Sequence, residues 1–278
     1  MVKIGVDIFG GDFAPEATLE GAMMAVDELP GDAKVVCIGD RQVIERYAKE
    51  KGFDVSRWEI QHTTEWIDMG ENPSKAYQQK PEASIPLGFK LLKSGQIQGF
   101  ASAGNTGAMM VGAMMVVKAI PGIIRPAIAT FIPTMGNIPT LLLDVGLNPD
   151  AKPDVLVQYG IMGSLYMEHV FGLNKPRVAL LNIGSEEEKG NLLTKATFPL
   201  MRECKNINFV GNVEGHDFFS SEKADVMVCD GFVGNIILKS SELIYDLVKS
   251  RGIHDEFFEK FNYENFGGTP ILGIKGVA

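Results

Sequence analysis

Residues 98–118 read QGFASAGNTGAMMVGAMMVVK, and this stretch decides how the rest of the chain is interpreted. The run QGFASAG (98–104) is typical of a short buried strand, and the apolar run 106–118 has the length of a helix. Its uncharged part, 107–117, has eleven residues, whereas a helix that spans a bilayer needs about 20. The stretch therefore predicts a strand and a core helix joined by a Gly-Asn-Thr turn, and not a membrane segment.

The same strand–helix pattern recurs along the whole chain. Strands are predicted at 2–8, 34–40, 58–62, 98–104, 127–132, 140–146, 177–184, 208–213 and 224–231, and helices at 15–28, 41–51, 106–118 and 153–171. Several strands are apolar throughout, as expected for strands covered on both faces. This alternation predicts an α/β fold with a mostly parallel sheet. Because a Gly-Asn turn separates 127–132 from 140–146, those two strands are predicted to form an inserted hairpin.

Length and composition fit one bilobed α/β domain over residues 1–278, with 45% hydrophobic and 22% charged residues. The formal net charge of −9 argues against a general nucleic-acid binder. Three cysteines without a C-x-x-C pair fit reduced thiols in a cytosolic protein. The N-terminus, MVKIGVDIFGGD, has an acidic residue where a signal peptide would be apolar, so it is predicted to be the first strand.

Glycine and asparagine follow many of the predicted strands. The loops are FGGD (9–12), SAGNTGA (102–108), NIGSEEEKGN (182–191), GNVEG (211–215) and CDGFVGN (229–235). In α/β sheets, ligands bind beyond the carboxyl ends of the strands, where these loops lie. A single Gly-Asn pair is more simply a turn or a helix cap, but the pair occurs four times within the loops just named. That recurrence favours a binding site.

Asn105, Thr106 and Gly107 open the helix of the first stretch, so backbone N–H groups and the positive end of the helix dipole face whatever lies in front of it. This arrangement predicts an anion or oxyanion site. The four methionines of the helix either fill the core, which is the favoured interpretation, or line a channel for a long apolar chain. Lys189, which follows three glutamates, either pairs with one of them or binds a phosphate.

Several enzyme classes are set aside because their motifs do not occur in the sequence. It contains no G-x-x-x-x-G-K-[ST], no G-x-G-x-x-G after a strand and no H-E-x-x-H. Phe100 replaces the first glycine that a G-x-S-x-G motif around Ser102 would need. The four histidines are scattered. The sequence thus points away from a metal centre and from a covalent Ser/His mechanism.

At the level of whole motifs, the chain resembles the bacterial PlsX family, the acyl-carrier-protein:phosphate acyltransferases of phospholipid synthesis. The motifs are VDIFGGDFAPE (6–16), SAGNTGA (102–108), RPAIA (125–129), NIGSEEEKGN (182–191), NVEG (212–215), CDGFVGNI (229–236) and YENFGGTPILGIKG (263–276). The resemblance implies the three-layer α/β/α fold of isocitrate and isopropylmalate dehydrogenases. It also implies attack of inorganic phosphate on a fatty acyl thioester of acyl carrier protein, with no cofactor and no metal.

The resemblance further implies a cytoplasmic homodimer that associates peripherally with the membrane. Its product, an acyl phosphate, would be passed to a membrane glycerol-phosphate acyltransferase. The same resemblance implies that family members continue beyond residue 278.

A set of site residues follows from the loops and the resemblance together. Predicted phosphate- or substrate-binding residues are Gly10, Gly11, Ser102, Gly104, Asn105, Thr106, Gly107 and Gly234, and predicted catalytic residues are Asp12, Lys189, Asn191, Asn212, Asp230 and Asn235. Lys189 would bind phosphate, the last three asparagines would donate to the oxyanion, and an aspartate would orient a donor or handle a proton. Asn105, Lys189, Asn212 and Asn235 are predicted to line one cleft.

Two features depart from the family pattern. Phe13 stands where the family usually has histidine, which removes a group that could handle a proton. The region 240–264 is short, which predicts a missing mobile segment near residues 250–255 that the continuous numbering conceals; the alternative is a shortened protein. Apolar residues within 236–248 recur at helical spacing, so this helix either packs in the core or forms a dimer and membrane contact.

Other functions remain open at this stage. A phosphate acetyltransferase-like enzyme acting on a small acyl-CoA would use the same chemistry without a long acyl site. A non-catalytic fatty-acid or carrier-binding protein would need no reaction at all. An isopropylmalate-type dehydrogenase shares the fold but would need a set of acidic metal ligands.

Overall fold

The computed structural model describes residues 1–262 and 268–278. The chain divides into two compact units. Unit 1 comprises Met1–Ile120 and Ile274–Ala278, and unit 2 comprises Pro121–Gly273. Each unit has its own β-sheet, with helices packed against it.

Unit 1 is built on a parallel sheet of four strands in the order β3-β2-β1-β4. The strands are β1 (Val2–Asp7), β2 (Ala33–Gly39), β3 (Glu59–His62) and β4 (Gly99–Ala101). Ile4 of β1 lies opposite Val35 of β2 on one side and Gly99 of β4 on the other. The loops that follow β1 and β4 therefore leave the same edge of the sheet side by side.

The helices of unit 1 are α1 (Glu16–Glu28), α2 (Arg41–Glu50), α3 (Pro73–Gln79), α4 (Ser84–Lys93) and α5 (Thr106–Gly112). Asp40 caps α2, because its side chain accepts a hydrogen bond from the Gln42 N–H at 2.8 Å. The predicted helix 106–118 is α-helical only as far as Gly112 and has π-helical geometry over Ala113–Val117. Of its methionines, Met109 is buried, whereas Met115 is exposed.

Unit 2 is built on a sheet of six strands in the order β10-β5-β6-β9-β7-β8. The strands are β5 (Ala127–Ile132), β6 (Thr140–Leu143), β7 (Arg177–Leu181), β8 (Asn208–Val213), β9 (Val226–Val228) and β10 (Ile271–Leu272). Strands β5 and β6 pair antiparallel, which confirms the predicted hairpin. Strands β6, β9, β7 and β8 run parallel, so the loops after them lie along one edge.

The helices of unit 2 are α6 (Pro153–Phe171), α7 (Leu192–Glu203), α8 (Gly231–Ser250) and α9 (Glu256–Glu259). The core lies between the sheet and α6, where Tyr159 packs against strand residues such as Leu143 and Val226. Such apolar burial contributes about 25 cal/mol per Å² and holds the parallel strands, and hence their loops, in place. The predicted α/β class with a mostly parallel sheet is thereby confirmed.

Helices α3, α4 and α7 were not among the predicted elements. Pro86 and Gly88 lie inside α4 and Pro199 lies inside α7, and these residues conceal a helical pattern. Gly88 has a packing reason, because a Cβ atom there would overlap with the ring of Phe100. Tertiary packing has overridden the local propensity.

The segment between α8 and α9 is continuous. The N–H groups of Arg251 and Ile253 both donate to the carbonyl of Val248, and that of Gly252 donates to Lys249. The prediction of a missing segment near residues 250–255 is therefore wrong, since α8 ends in an ordinary hydrogen-bonded turn. The rest of the short region, Tyr263 and Glu264, lies outside the described residues. Among the helices described, none is long and apolar enough to cross a membrane.

Candidate active site

The loop that follows β7 in unit 2 is held by the side chain of Asn182. Its Nδ2 donates to the carbonyl of Lys189 at 3.1 Å, and its Oδ1 accepts from the N–H of Ile183 at 2.9 Å. Gly190 has φ +98°, a conformation that L side chains rarely adopt. The chain then enters α7, where Asn191 is the N-cap and accepts from the Thr194 N–H at 2.9 Å. One helix start is thus placed at the end of β7.

The loops after β8 and β7 are joined by Asn212. Its Nδ2 donates to the carbonyl of Glu186 at 2.8 Å, which leaves one N–H of the amide group unused. Its Oδ1 is buried and has no hydrogen-bond partner in the part of the chain that the structure describes. Asn212 therefore braces the loop and still has donor and acceptor capacity.

A second helix start follows β9. Asp230 is the N-cap of α8 and accepts from the Val233 N–H at 2.9 Å. Asn235 donates to the carbonyl of Val145 at 3.2 Å, which ties α8 to the end of β6 and leaves its second amide N–H free. Gly234 packs so closely on the backbone of Asp144 that any Cβ would overlap with the Asp144 carbonyl oxygen.

A cavity of about 200 Å³ lies between these two helix starts. Its walls include the predicted residues Asn191 and Asp230, together with Asn182, Thr194 and Cys229. The structure thus brings together two of the predicted catalytic side chains from different strands. The rest of the wall is apolar, but the two helix N-termini and the polar side chains beside them are suited to an anionic group.

Lys189 is exposed at the edge of this loop cluster. Of the three preceding glutamates, Glu187 pairs with Arg202 at 2.6 Å, and Lys189 forms no ion pair with any residue in the described ranges. The alternative in which Lys189 neutralises a neighbouring glutamate is therefore not the one observed. Its ammonium group remains available for a ligand.

Asp144, which directly follows β6, is a buried carboxylate that the sequence analysis did not identify. It accepts hydrogen bonds from the backbone of Ile128, Leu147 and Asn148 and from the Asn148 side chain, at 2.6–3.2 Å. Burial raises the pKa of Asp144, and the hydrogen bonds from Asn148 and the other donors oppose that rise. Asp144 organises the turn against which Gly231 and Gly234 of α8 pack.

The loops after β1 and β4 in unit 1 meet at a second buried carboxylate, Asp7. Ser102 donates to it through Oγ at 2.7 Å, and Ser102 Oγ in turn accepts from the Gly104 N–H at 3.0 Å. A Cβ on Gly10 would lie 2.7 Å from Asp7 Oδ2 and 2.8 Å from Ser102 Oγ. Gly10, Ser102 and Gly104 of the predicted site are thus in contact, and burial raises the pKa of Asp7 despite its hydrogen bonds.

The side chain of Asn105 joins the start of α5 to the segment 68–71. Its Nδ2 donates to the carbonyls of Asp68, Met69 and Glu71 at 3.0, 3.3 and 3.1 Å, and its Oδ1 caps α5 through the Ala108 N–H at 3.0 Å. The side chain is buried and has no donor left. The side chain therefore clamps the segment 68–71 and caps α5, and binding of an anion by the backbone N–H groups at the start of α5 stays a prediction.

The remaining predicted residues of unit 1 lie in the loop after β1 and at the start of α5. Asp12 and Thr106 are exposed, and Gly11 has φ +108°. Gly107 packs against Pro73, where a Cβ would overlap with the proline ring. The single cleft predicted for Asn105, Lys189, Asn212 and Asn235 stays a prediction, because Asn105 belongs to unit 1 and the other three belong to unit 2.

Comparisons with known proteins can now be set beside this geometry. The chain is 41% identical to a phosphate acyltransferase of Dictyoglomus turgidum over 295 residues, covering 99% of this chain and 87% of the relative. It is 43% identical to a phosphate acyltransferase of Halothermothrix orenii over 296 residues, covering 99% and 88%. Both alignments are longer than the 278 residues of this chain, so the relatives carry inserted residues that it lacks.

Among solved structures, the EutD phosphotransacetylase from Staphylococcus aureus superposes with a TM-score of 0.64. It is 18% identical, and the match covers 99% of this chain and 87% of that one, so it shows the shared fold alone.

The relatives and the fold define an acyltransferase that transfers an acyl group to phosphate. The chain belongs to the family described as fatty acid synthesis proteins, whose model matches residues 2–278. The resemblance to PlsX is thereby confirmed.

Proposed function

We propose that this acyltransferase takes a long-chain fatty acyl group from acyl carrier protein and passes it to inorganic phosphate, forming an acyl phosphate for phospholipid synthesis. Family membership over residues 2–278 is the observation that carries the proposal. The loops at the carboxyl ends of the strands support it, since, within the described residues, they present an unpaired lysine and amide N–H groups without acceptors rather than an activated serine or cysteine nucleophile.

In the proposed reaction, hydrogen phosphate itself attacks the thioester carbon. A new C–O bond forms, the C–S bond breaks, and the proton that phosphate loses ends on the departing thiol. Lys189 supplies a positive charge for phosphate. The remaining N–H groups of Asn191, Asn212 and Asn235 are proposed to donate to the oxyanion of the tetrahedral intermediate. The glycine-rich loops of unit 1, including Gly10, Gly11, Thr106 and Gly107, are proposed to supply backbone donors.

We assign the transfer of the phosphate proton to a carboxylate rather than to residue 13. Phe13 cannot exchange a proton, and it is 80% exposed. Asp230 lines the cavity of unit 2 but already accepts the Val233 N–H, whereas Asp12 is exposed and uncommitted within the described chain. We propose that Asp230 orients a donor and that Asp12 handles the proton.

The decisive experiment is release of free thiol from a long-chain acyl carrier protein, with and without phosphate and in the presence of a chelator. The proposal expects release that requires phosphate, that is accompanied by acyl phosphate and that is unaffected by the chelator. Release without phosphate, or its loss on chelation, would contradict the proposal. Binding of the donor without any turnover would identify a non-catalytic binding protein instead.

A second candidate donor has a specific observation in its favour. Because a phosphotransacetylase shares the fold, a small acyl-CoA is the alternative acyl donor for this chain. Comparing acetyl-CoA, a long-chain acyl-CoA and a long-chain acyl carrier protein at equal concentrations separates the two. If kcat/KM is higher with acetyl-CoA than with the long-chain acyl carrier protein, acetyl-CoA replaces the carrier protein as the proposed donor.

Helix α8 supports a further part of the proposal, a cytoplasmic homodimer with peripheral membrane contact. Phe232, Ile236, Leu243 and Leu247 are exposed and recur at helical spacing on one face. Burial within the chain, the simpler alternative for these residues, is not what the structure shows. We propose that this face packs against a second copy, with the turn beyond it near lipid, where the acyl phosphate meets a membrane glycerol-phosphate acyltransferase. Leu243→Glu should yield monomers in analytical ultracentrifugation; an unchanged dimer would contradict this.

A further inference from the structure

Unit 1 contains a cavity of about 310 Å³ to which the proposed reaction assigns no role. It lies between the loop after β1 and the segment 66–69. Its walls include Phe9, Pro15, Trp66, Ile67 and Met69. The rings of Phe9 and Trp66 are 5.2 Å apart, close enough for direct aromatic contact.

The apolar side chains of this cavity are unusually accessible. Trp66 is 44% exposed and Met69 is 49% exposed, although both are large apolar residues. Exposed aromatic and methionine side chains around a concave surface are typical of ligand sites. Unlike the cavity of unit 2, this one has no asparagine in its wall.

The cavity is connected to the predicted phosphate loops by two contacts. Gly11 forms part of its wall. The carbonyls of Asp68 and Met69 on the opposite wall are held by Asn105, which also caps α5. The wall segment is therefore fixed to the loop after β4, so the cavity opens next to the residues proposed to bind phosphate.

The charges at the cavity select among possible ligands. Asp68 lines it, Asp12 lies next to Gly11, and none of the described residues in its wall is basic. A nucleotide inside the cavity would face the Asp68 carboxylate without a basic side chain in the wall to offset its charge. An uncharged hydrocarbon chain pays no such electrostatic penalty and gains about 25 cal/mol for each Å² of apolar surface that it buries.

We infer that this cavity receives the hydrocarbon chain of the acyl donor, beginning at the carbons next to the thioester. The inference rests on the proposed function and adds the residues that set chain-length preference. Phe9, Trp66 and Met69 line the chain, while the thioester carbon lies towards Gly11. Each methylene that enters should improve affinity about fourfold, which corresponds to about 0.8 kcal/mol.

Tryptophan fluorescence tests the inference without turnover. The protein has two tryptophans, of which Trp58 is 4% exposed and Trp66 is 44% exposed, so Trp66 is the one that can respond to a surface ligand. The probes are S-ethyl, S-octyl and S-dodecyl pantetheine, thioethers that cannot transfer an acyl group. The octyl and dodecyl probes should shift the emission to shorter wavelength, the ethyl probe should not, and Trp66→Phe should abolish the shift.

A matched pair of methionine variants provides the second readout. Met69 lines the cavity, whereas Met24 of α1 is 61% exposed and lies outside it. Met69→Ala should raise the Kd for the dodecyl probe about fivefold to tenfold and leave the ethyl probe unchanged, and Met24→Ala should change neither.

The outcomes separate this inference from the proposed function. An equal response to the ethyl and dodecyl probes would place the pantetheine arm in the cavity and overturn the inference. An unchanged Trp66 emission with a wild-type enzyme that is active on long-chain donors would overturn it as well. A dodecyl-specific shift in a protein without phosphate-dependent thiol release would support the cavity and contradict the reaction.

Discussion

Ser102 Oγ lies 2.7 Å from Asp7 Oδ2, although 95 positions separate the two residues in the chain. The contact joins the ends of β1 and β4 and buries a carboxylate beneath Gly10. Burial raises the pKa of Asp7 above its ordinary value. Between the ordinary and the raised pKa, the folded protein binds more protons than the unfolded chain, so this group lowers the free energy of unfolding as pH rises.

The stability of the Asp7→Asn variant relative to wild type should therefore increase as pH rises. At acidic pH, below the ordinary pKa of the carboxyl group, wild type and variant carry the same charge at this position. Above that pKa, wild type loses the stability that the variant keeps. Urea unfolding of both proteins between pH 4 and pH 8 measures the difference in free energy of unfolding. A difference that does not change with pH would contradict the raised pKa.

Asn105→Ala should destabilise the protein more than the loss of an ordinary helix cap. Asn72 is the matched control, because it caps α3 through the Lys75 N–H at 3.1 Å and its side chain makes no other hydrogen bond within the described residues. Asn72→Ala should cost about 1 kcal/mol. Asn105→Ala should cost about 1–3 kcal/mol more, because three carbonyls lose their donor. Equal losses in urea unfolding would show that the clamp contributes nothing.

Lys189→Ala should weaken the use of phosphate and leave the fold intact. Lys189 is exposed and unpaired among the described residues, so its removal exposes no buried partner. Losing one charge-assisted contact should raise the KM for phosphate about 10- to 100-fold. Lys195, exposed on α7, provides the control, and Lys195→Ala should leave that KM unchanged. An unaltered KM in Lys189→Ala would remove this residue from the site.

Asn235→Ala should lower turnover by about 10²–10³, the effect of losing one oxyanion donor. The side chain of Asn235 is exposed, so losing its hydrogen bond to the Val145 carbonyl should lower the free energy of unfolding by only about 1 kcal/mol. Steady-state kinetics should show the change in kcat, with the KM for phosphate little altered. A variant that keeps the wild-type kcat would confine Asn235 to bracing the end of β6.

Much of the fold could be predicted because apolar, β-branched runs mark strands that are buried on both faces. Residues 127–132, 153–171 and 208–213 have the bounds that the sequence indicated. Helix α4 could not be predicted in the same way, since Gly88 is favoured there by the ring of Phe100 rather than by helix propensity. Contacts between distant residues are not visible in a local pattern.

The positions of some candidate site residues could also be predicted. Asn191 and Asp230 stood out as polar residues after apolar strands, and both line one cavity. Asp7 is the last residue of β1 and Asp144 directly follows β6, and in a sequence an aspartate at such a position is typical of the start of a turn. Their burial depends on donors far away in the sequence, such as Ser102 and Ile128. The partners of the Asn105 amide lie 34–37 positions earlier, so its clamping role was equally hidden.

The close approach of Gly234 to Asp144 affects how sequence variation among relatives is interpreted. Since any side chain at position 234 would overlap with the Asp144 carbonyl, natural selection will remove substitutions there whether or not the residue ever touches a substrate. Invariance at this position would record the packing of α8 on the end of β6. Exposed Lys189, which nothing in the described fold requires, is the position where invariance across species would instead record catalysis.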